Sequence, residues 1–349
     1  MTFDEKEQNY NENSFSKIHD ENHENPSSSL SNHVDNSTML NDNYINENEI
    51  SNNNYNENMN PLLYEFDRKI AYSKVSKAAL LFLLYTLIFG IIFSFLNNDG
   101  LYNLFAIAIS LIMIYFYIGK DKKEQMIIKH KKMSFGDLLF FIGLMYAINF
   151  IFSFLTTFIV DIVGLPSIDV TKEIAMSSNL ILHIYATFIG PLFEEIQYRG
   201  FYLNHVRKYG IQAAIIISTI TFCFAHLNII QSIGTIGIGL VISYVAYVYS
   251  FKIAVLIHII NNAIAFGLSD QIIVNENSII VTIIGFIILS LIIFSLVKLI
   301  FGKKYKEIYD VLKYKDNEKE NFHALFKNGW FIAYIIITLL LSVASGFLA

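Results

Sequence analysis

The sequence predicts an all-α protein: a polytopic transmembrane helical bundle of about 8–9 spans with a disordered N-terminal tail. Three observations predict it. The 349 residues are 54% hydrophobic, 15% aromatic and only 16% charged, which is too apolar for an ordinary soluble domain. Nine apolar stretches approach or exceed the roughly 17–25 residues that cross a ~30 Å hydrocarbon core. In lipid, only a helix satisfies its backbone polar groups within one segment, so spans of this kind are helical.

The first sixty residues are a different material, rich in Asn, Ser, Asp and Glu, as in "NDNYINENEISNNNYNENMN". With few large apolar side chains they are expected to be disordered. They hold twelve acidic residues against Lys6 and Lys17, whereas the whole chain is only −5, so the body that follows is net positive. No secretory signal pattern is visible at the start. The single cysteine, Cys223, excludes an intramolecular disulfide and a Cys-rich metal site.

The predicted spans lie near 76–96, 101–118, 138–160, 178–203, 211–227, 232–250, 252–268, 278–301 and 330–348. They divide the chain into a tail (1–60), a membrane body (61–303) and a Lys-rich loop with a last helix (304–349). Lysines and arginines mark one side: Arg68, Lys69, Lys74 and Lys77 before the first span, Lys120 to Lys132 in the second loop, Arg207 with Lys208, Lys252, and Lys303 to Lys327. The alternate loops hold Asp99, then Asp161, Asp169 and Glu173, then Asp270 and Glu276, with Lys172 as their only basic residue. The positive-inside rule then places the N-terminus in the cytoplasm of a multi-pass protein of the cell membrane. The lipid bilayer is one expected partner, and no nucleic acid is expected.

Against that background, ionisable residues inside spans mark function, since each costs about 2.5–3.5 kcal/mol at mid-bilayer on insertion scales. They are Glu194, Glu195 and Arg199 in the fourth stretch, His226 at the end of the fifth, and His258 with Asn262 in the seventh. Glu195 and Arg199 are i,i+4 and pair on one face, whereas Glu194 projects about 100° away without a local cation. His258 and Asn262 are also i,i+4 and share a face. Glu194 lies sixteen residues before Gly210 and His226 sixteen after it, so equal counting from that turn sets them at similar height. The same counting sets His258, six residues past Lys252, nearer the cytoplasmic side.

The segments "EEIQYRG", "FCFAH" (Phe222 to His226) and "HIINN" (His258 to Asn262) resemble the three signatures EExxxR, FxxxH and HxxxN of the CAAX protease and bacteriocin-processing family of intramembrane endopeptidases. All three are complete and in family order, and the resemblance covers about residues 140–270. It implies hydrolysis of peptide bonds in membrane-associated or lipid-modified protein or peptide substrates. It further implies that Glu194 and His226 activate water and that His258 and Asn262 donate to the oxyanion. The Glu195–Arg199 pair is then structural. No cofactor is expected. The alternative is a zinc set of Glu194, His226 and His258 with water as fourth ligand, although no HExxH helix is present.

Other polar residues receive simpler readings. His183 is about 16 Å along the helix from Glu194 and lines or braces the bundle. Cys223 is a small core hydrophobe, Asn149 interhelical glue and Trp330 an interface anchor. The alternative function is a non-catalytic membrane partner, such as a bacteriocin immunity protein. A transporter would show paired Gly- or Pro-broken spans, which the sequence lacks.

The loop assignment predicts that a Lys315→Cys variant in a Cys223-free background reacts with a membrane-impermeant maleimide only after the cytoplasmic face is exposed. Labelling of intact cells from outside overturns the orientation.

Overall fold

The computed structural model describes residues 60–118, 131–164, 170–274, 278–313 and 318–348. The expected disordered tail up to residue 59, most of the second loop, Asp169, Glu276 and Lys315 lie outside the described residues. Every regular element among the described residues is helical. The Asn60 side chain accepts the Leu62 N–H to cap α1 (Pro61–Phe93), with Pro61 where a missing N–H costs nothing. Then come α2 (Asp99–Ile118), α3 (Phe135–Val163) and a short α4 (Val170–Met176).

Residues 180–206 wind with changing pitch: α5 (Leu180–Ile184), a π-helical turn (Tyr185–Ile189), α6 (Gly190–Glu195), a second π stretch (Ile196–Leu203) and α7 (Asn204–Val206). The chain continues through α8 (Ile211–Phe224), α9 (Ile229–Gly234), α10 (Ile236–Val248) and α11 (Phe251–Val274). It ends with α12 (Ile279–Ile300), α13 (Lys304–Leu312), α14 (Glu318–Phe326) and α15 (Gly329–Leu348).

All nine predicted stretches are helical among the described residues. Six helices there are long and apolar enough to cross a membrane: Pro61–Leu96, Asp99–Ile118, Phe135–Ile162, Phe251–Ile273, Ile279–Ile300 and Gly329–Phe347. With 14 and 13 residues, α8 and α10 rise only about 20 Å, short of the ~30 Å core. The first helix starts fifteen residues before its predicted apolar stretch at 76. Hydropathy marks where lipid begins, whereas the helix begins at its cap.

Apolar side chains fill the interior and also cover the outer surface, while the buried polar residues are gathered among the core helices. Large side chains such as Ile91, Phe116, Phe150, Phe154, Phe286 and Leu340 face outward, and α12 buries only Ser295. The core holds Tyr72, Phe140, Phe141, Tyr198, Tyr202, Phe222, Tyr249 and Tyr334. Small residues bring helices together there. A Cβ on Gly143 would run into the Leu291 carbonyl oxygen of α12, and one on Gly237 would meet Asn149. The Asn149 Oδ1 accepts the Ile238 N–H at 3.0 Å, the interhelical role expected of it.

Direct contacts gather several basic segments at one end of the bundle. Lys131 N donates to the Val248 carbonyl, Lys304 reaches the Tyr249 hydroxyl, Asp137 and Glu307, and Lys74 reaches the Ile118 carbonyl. Burial alone would raise the Glu307 carboxyl, but hydrogen bonds from Lys131 and Lys304 outweigh it and hold the group below its ordinary range. At the other end, Asn179 donates to Asn98 at 2.9 Å, and the Leu182 backbone packs against Gly100.

Candidate active site

The EExxxR segment runs from the end of α6 into the second π-helical stretch. In the first, the Gly190 N–H reaches back five residues to the Tyr185 carbonyl, and the next residue, Pro191, has no N–H to donate. The Ala186 carbonyl is therefore passed over by the ladder, since residue 190 would take it in an α-helix and residue 191 in a π-helix. Asn262 Nδ2 donates to it at 2.9 Å, and Asn262 Oδ1 accepts from Asn261 Nδ2 at 3.2 Å. The sequence "GPLFEE" thus holds the HxxxN asparagine in place by withholding a donor.

Glu195 and Arg199 form the expected i,i+4 pair, Nη1 to Oε1 at 2.8 Å, with both side chains fully buried. Arg199 also donates from Nε to Ser243 Oγ and from Nη2 to the Gly239 carbonyl, each at 3.2 Å. Its guanidinium carbon lies 4.6 Å from the centre of the Phe222 ring. Ser243 passes its hydroxyl to Ser218, and Ser218 donates to the Tyr198 carbonyl. The arginine thereby ties residues 195–199 to α10 and α8.

The same Glu195 oxygen receives His258 Nδ1 at 2.8 Å. His258 Nε2 then points to Glu194 Oε2 at 3.4 Å. The imidazole is bracketed by two carboxylates, one buried and one about a third exposed. Glu195 is thus the support of His258 as well as the partner of Arg199. Glu195 Oε2 is buried without a hydrogen-bond partner among the described residues.

His226 lies just past the end of α8. Its Nδ1 is 3.1 Å from the carbonyl oxygens of both Phe222 and Cys223. Two acceptors require Nδ1 to carry the proton, which leaves Nε2 with its lone pair in the neutral ring. Leu227 follows in the left-handed region at φ 50°, a conformation costing a non-glycine residue roughly 1–2 kcal/mol and typical of functional sites.

Phe222 is the residue whose role the motif reading missed. Its buried ring is edge-to-face with His226 at 5.1 Å and with His258 at 5.5 Å, while Arg199 packs on it. The signal was its place as the first residue of FxxxH. No hydrogen bond or ion pair joins Glu194 to His226.

Equal counting from Gly210 also needs correction. The Ser218 Oγ to Tyr198 carbonyl bond, 3.0 Å, sets level a residue twelve positions before Gly210 and one eight positions after it. A π-helix packs more residues into each turn, so the arm through Ile196–Leu203 climbs less. Glu194 is then level with Phe222, and His226 stands about one turn, ~6 Å, beyond. The same shortening brings Glu194 and Glu195 down to His258, which the counting had set apart.

Of the other polar residues, His183 Nε2 meets the Ser177 carbonyl at 2.8 Å, a bracing contact near the helix start. Cys223 is fully buried in the core. Trp330 is partly exposed under Lys77, whose ammonium lies 5.0 Å from its ring.

The zinc alternative can be weighed on donor geometry. His258, with Nδ1 on a carboxylate and Nε2 outward, has the orientation of a metal-ligating histidine. Among the described residues, however, no three His, Cys, Asp or Glu side chains converge on a common point, and the Phe222 ring touches both imidazoles. Glu194, His226 and His258 as they stand do not form a zinc set.

Residues 176–264 match the family model described as type II CAAX prenyl endopeptidase Rce1-like. The match contains all seven residues of the site, Phe222 included, and ends within α11. No curated protein and no solved structure matches the chain.

Removing Glu195 strands a fully buried guanidinium and unseats His258, so Glu195→Ala is expected to lose about 3–5 kcal/mol. Folded yield in detergent and the thermal midpoint of the purified protein report it. A variant as stable as the parent would show that the pair carries no structural weight.

Proposed function

We propose that this multi-pass membrane protein, whose residues 176–264 match the Rce1-like family model, is a CAAX-type intramembrane endopeptidase that works without a resident metal. The observation that carries the reading is the chain Arg199–Glu195–His258–Glu194, which holds a partly exposed carboxylate against an imidazole inside an apolar bundle.

Water entering the site is bound by Glu194 and by the lone pair of His226 Nε2, and it attacks the carbon of the scissile carbonyl. Glu194 takes one of its protons. The carbonyl oxygen becomes an oxyanion and receives hydrogen bonds from His258 Nε2–H and from the Asn262 N–H not engaged with Ala186. His258 is suited to this because Glu195 accepts its Nδ1–H and so turns Nε2 toward the site. Once Glu194 is protonated it releases its hold on Nε2–H, so the donor becomes available as the oxyanion forms. Collapse of the intermediate breaks the C–N bond, and Glu194 returns its proton to the departing amine.

The setting supports a substrate class. A site within the membrane is reached by a chain that a lipid holds at the bilayer, which fits a prenylated C-terminus or another membrane-associated peptide. The basic end of the bundle then faces the cytoplasm of the cell membrane.

Glu194→Gln removes the proton acceptor while preserving shape. Cleavage of a farnesylated CaaX peptide by the purified protein in lipid is expected to fall by about 10²–10⁴-fold, with the thermal midpoint unchanged. Parental activity in this variant removes the general-base role.

Metal analysis gives a separate reading. Active protein is expected to hold well under one zinc per chain and to stay active after dialysis against a strong chelator. One zinc per chain, with activity lost on its removal and restored on its return, would assign Glu194, His226 and His258 to the metal.

A further inference from the structure

Four side chains from α14 and α15, outside the matched residues 176–264, hydrogen-bond to the segment that carries Phe222 and His226. At its start, the Glu318 carboxylate accepts the Gln212 N–H at 3.0 Å and the Ala213 N–H at 3.4 Å. These are donors that a helix N-terminus leaves without internal partners. Asn321 Nδ2 donates to the Tyr209 carbonyl at 2.7 Å. At its end, the Tyr334 hydroxyl donates to the Thr221 carbonyl at 2.7 Å, and Ser345 Oγ donates to the Leu227 carbonyl at 2.8 Å.

The end contacts matter because of how α8 terminates. In an unbroken helix the Thr221 carbonyl would take the Ala225 N–H, but that N–H turns to Cys223. The next two carbonyls, Phe222 and Cys223, are the pair that fixes the His226 tautomer. Tyr334 therefore holds the carbonyl that precedes this pair, and Ser345 holds the left-handed residue that follows the histidine.

We propose that Tyr334 and Ser345 are positioning residues for His226, and that the C-terminal helices clamp α8 at both ends so that its last turn aims the imidazole at the site. The catalytic part of this inference rests on the role of His226 proposed above; the geometric part does not.

The test uses the full chain in lipid, with Tyr334→Phe, Ser345→Ala and their combination. Tyr146→Phe serves as control, because the buried Tyr146 hydroxyl has no partner among the described residues. Ser345→Thr restores the donor. Two readouts need no substrate. Alkylation of Cys223, the single cysteine of the chain, reports opening of the last turn of α8 and is expected to rise about tenfold per lost bond. The imidazole ¹⁵N resonances of His226 report its tautomer and are expected to show mixing of the two forms. A third readout, cleavage of the farnesylated peptide, is expected to show kcat lowered with KM preserved, and recovery with Ser345→Thr.

Unchanged Cys223 alkylation and unchanged His226 resonances in the double variant overturn the proposal, whatever the activity. So does an equal change in Tyr146→Phe, which would show general loosening. If the parent cleaves nothing, the endopeptidase reading fails while the two physical readouts still decide the clamp. If the double variant does not fold, the two single variants supply the same measurements.

Discussion

One oxygen atom organises this site. Glu195 Oε1 accepts from both Arg199 and His258, and the three groups belong to the two helical segments that face each other across the bundle. A carboxylate, a guanidinium and an imidazole taken out of water carry a large desolvation cost. They are tolerable here because each nitrogen of Arg199 has a hydrogen-bond partner, in Glu195, Ser243 and the Gly239 carbonyl, and the guanidinium packs on the ring of Phe222. Residues 195 to 199, α8, α10 and α11 therefore share one polar joint. Glu194 is aimed because its neighbour in sequence cannot move.

Much of this was legible from residue types and spacing. Nine apolar stretches became nine helical segments among the described residues, and the i,i+4 spacing matches the ion pair that Glu195 forms with Arg199. What spacing could not show was the coupling of Glu195 to His258, 63 residues apart, because contact between helices depends on their rotation and depth. Depth in turn was misjudged by assuming one rise per residue. The π-helical winding over Ile196–Leu203 breaks that assumption, and its trace in the sequence, a proline followed by charged residues inside an apolar run, has no fixed period. Phe222 was hidden for a simpler reason. In a chain this rich in aromatics, a buried phenylalanine carries no signal until the groups around its ring are known.

The segment carrying Ala186 illustrates how irregular backbone becomes useful in lipid. A helix that skips a hydrogen bond in hydrocarbon must find another donor. The Ala186 carbonyl finds it in a side chain of the site itself, so a defect in one helix becomes the anchor for a residue on another. The arrangement needs no additional binding element.

The shortness of α8 has a consequence for the segment that follows it. A helix of 14 residues rises only about 20 Å, and the chain beyond it, after turning at Leu227, keeps its polar groups inside the protein: Asn228 and Ser232 are buried, and the Asn228 side chain accepts the Gln231 N–H at 3.0 Å. Non-helical backbone enclosed in this way carries its own hydrogen-bond partners. A change of direction in an apolar bundle is thus possible without exposing a bare peptide group to hydrocarbon.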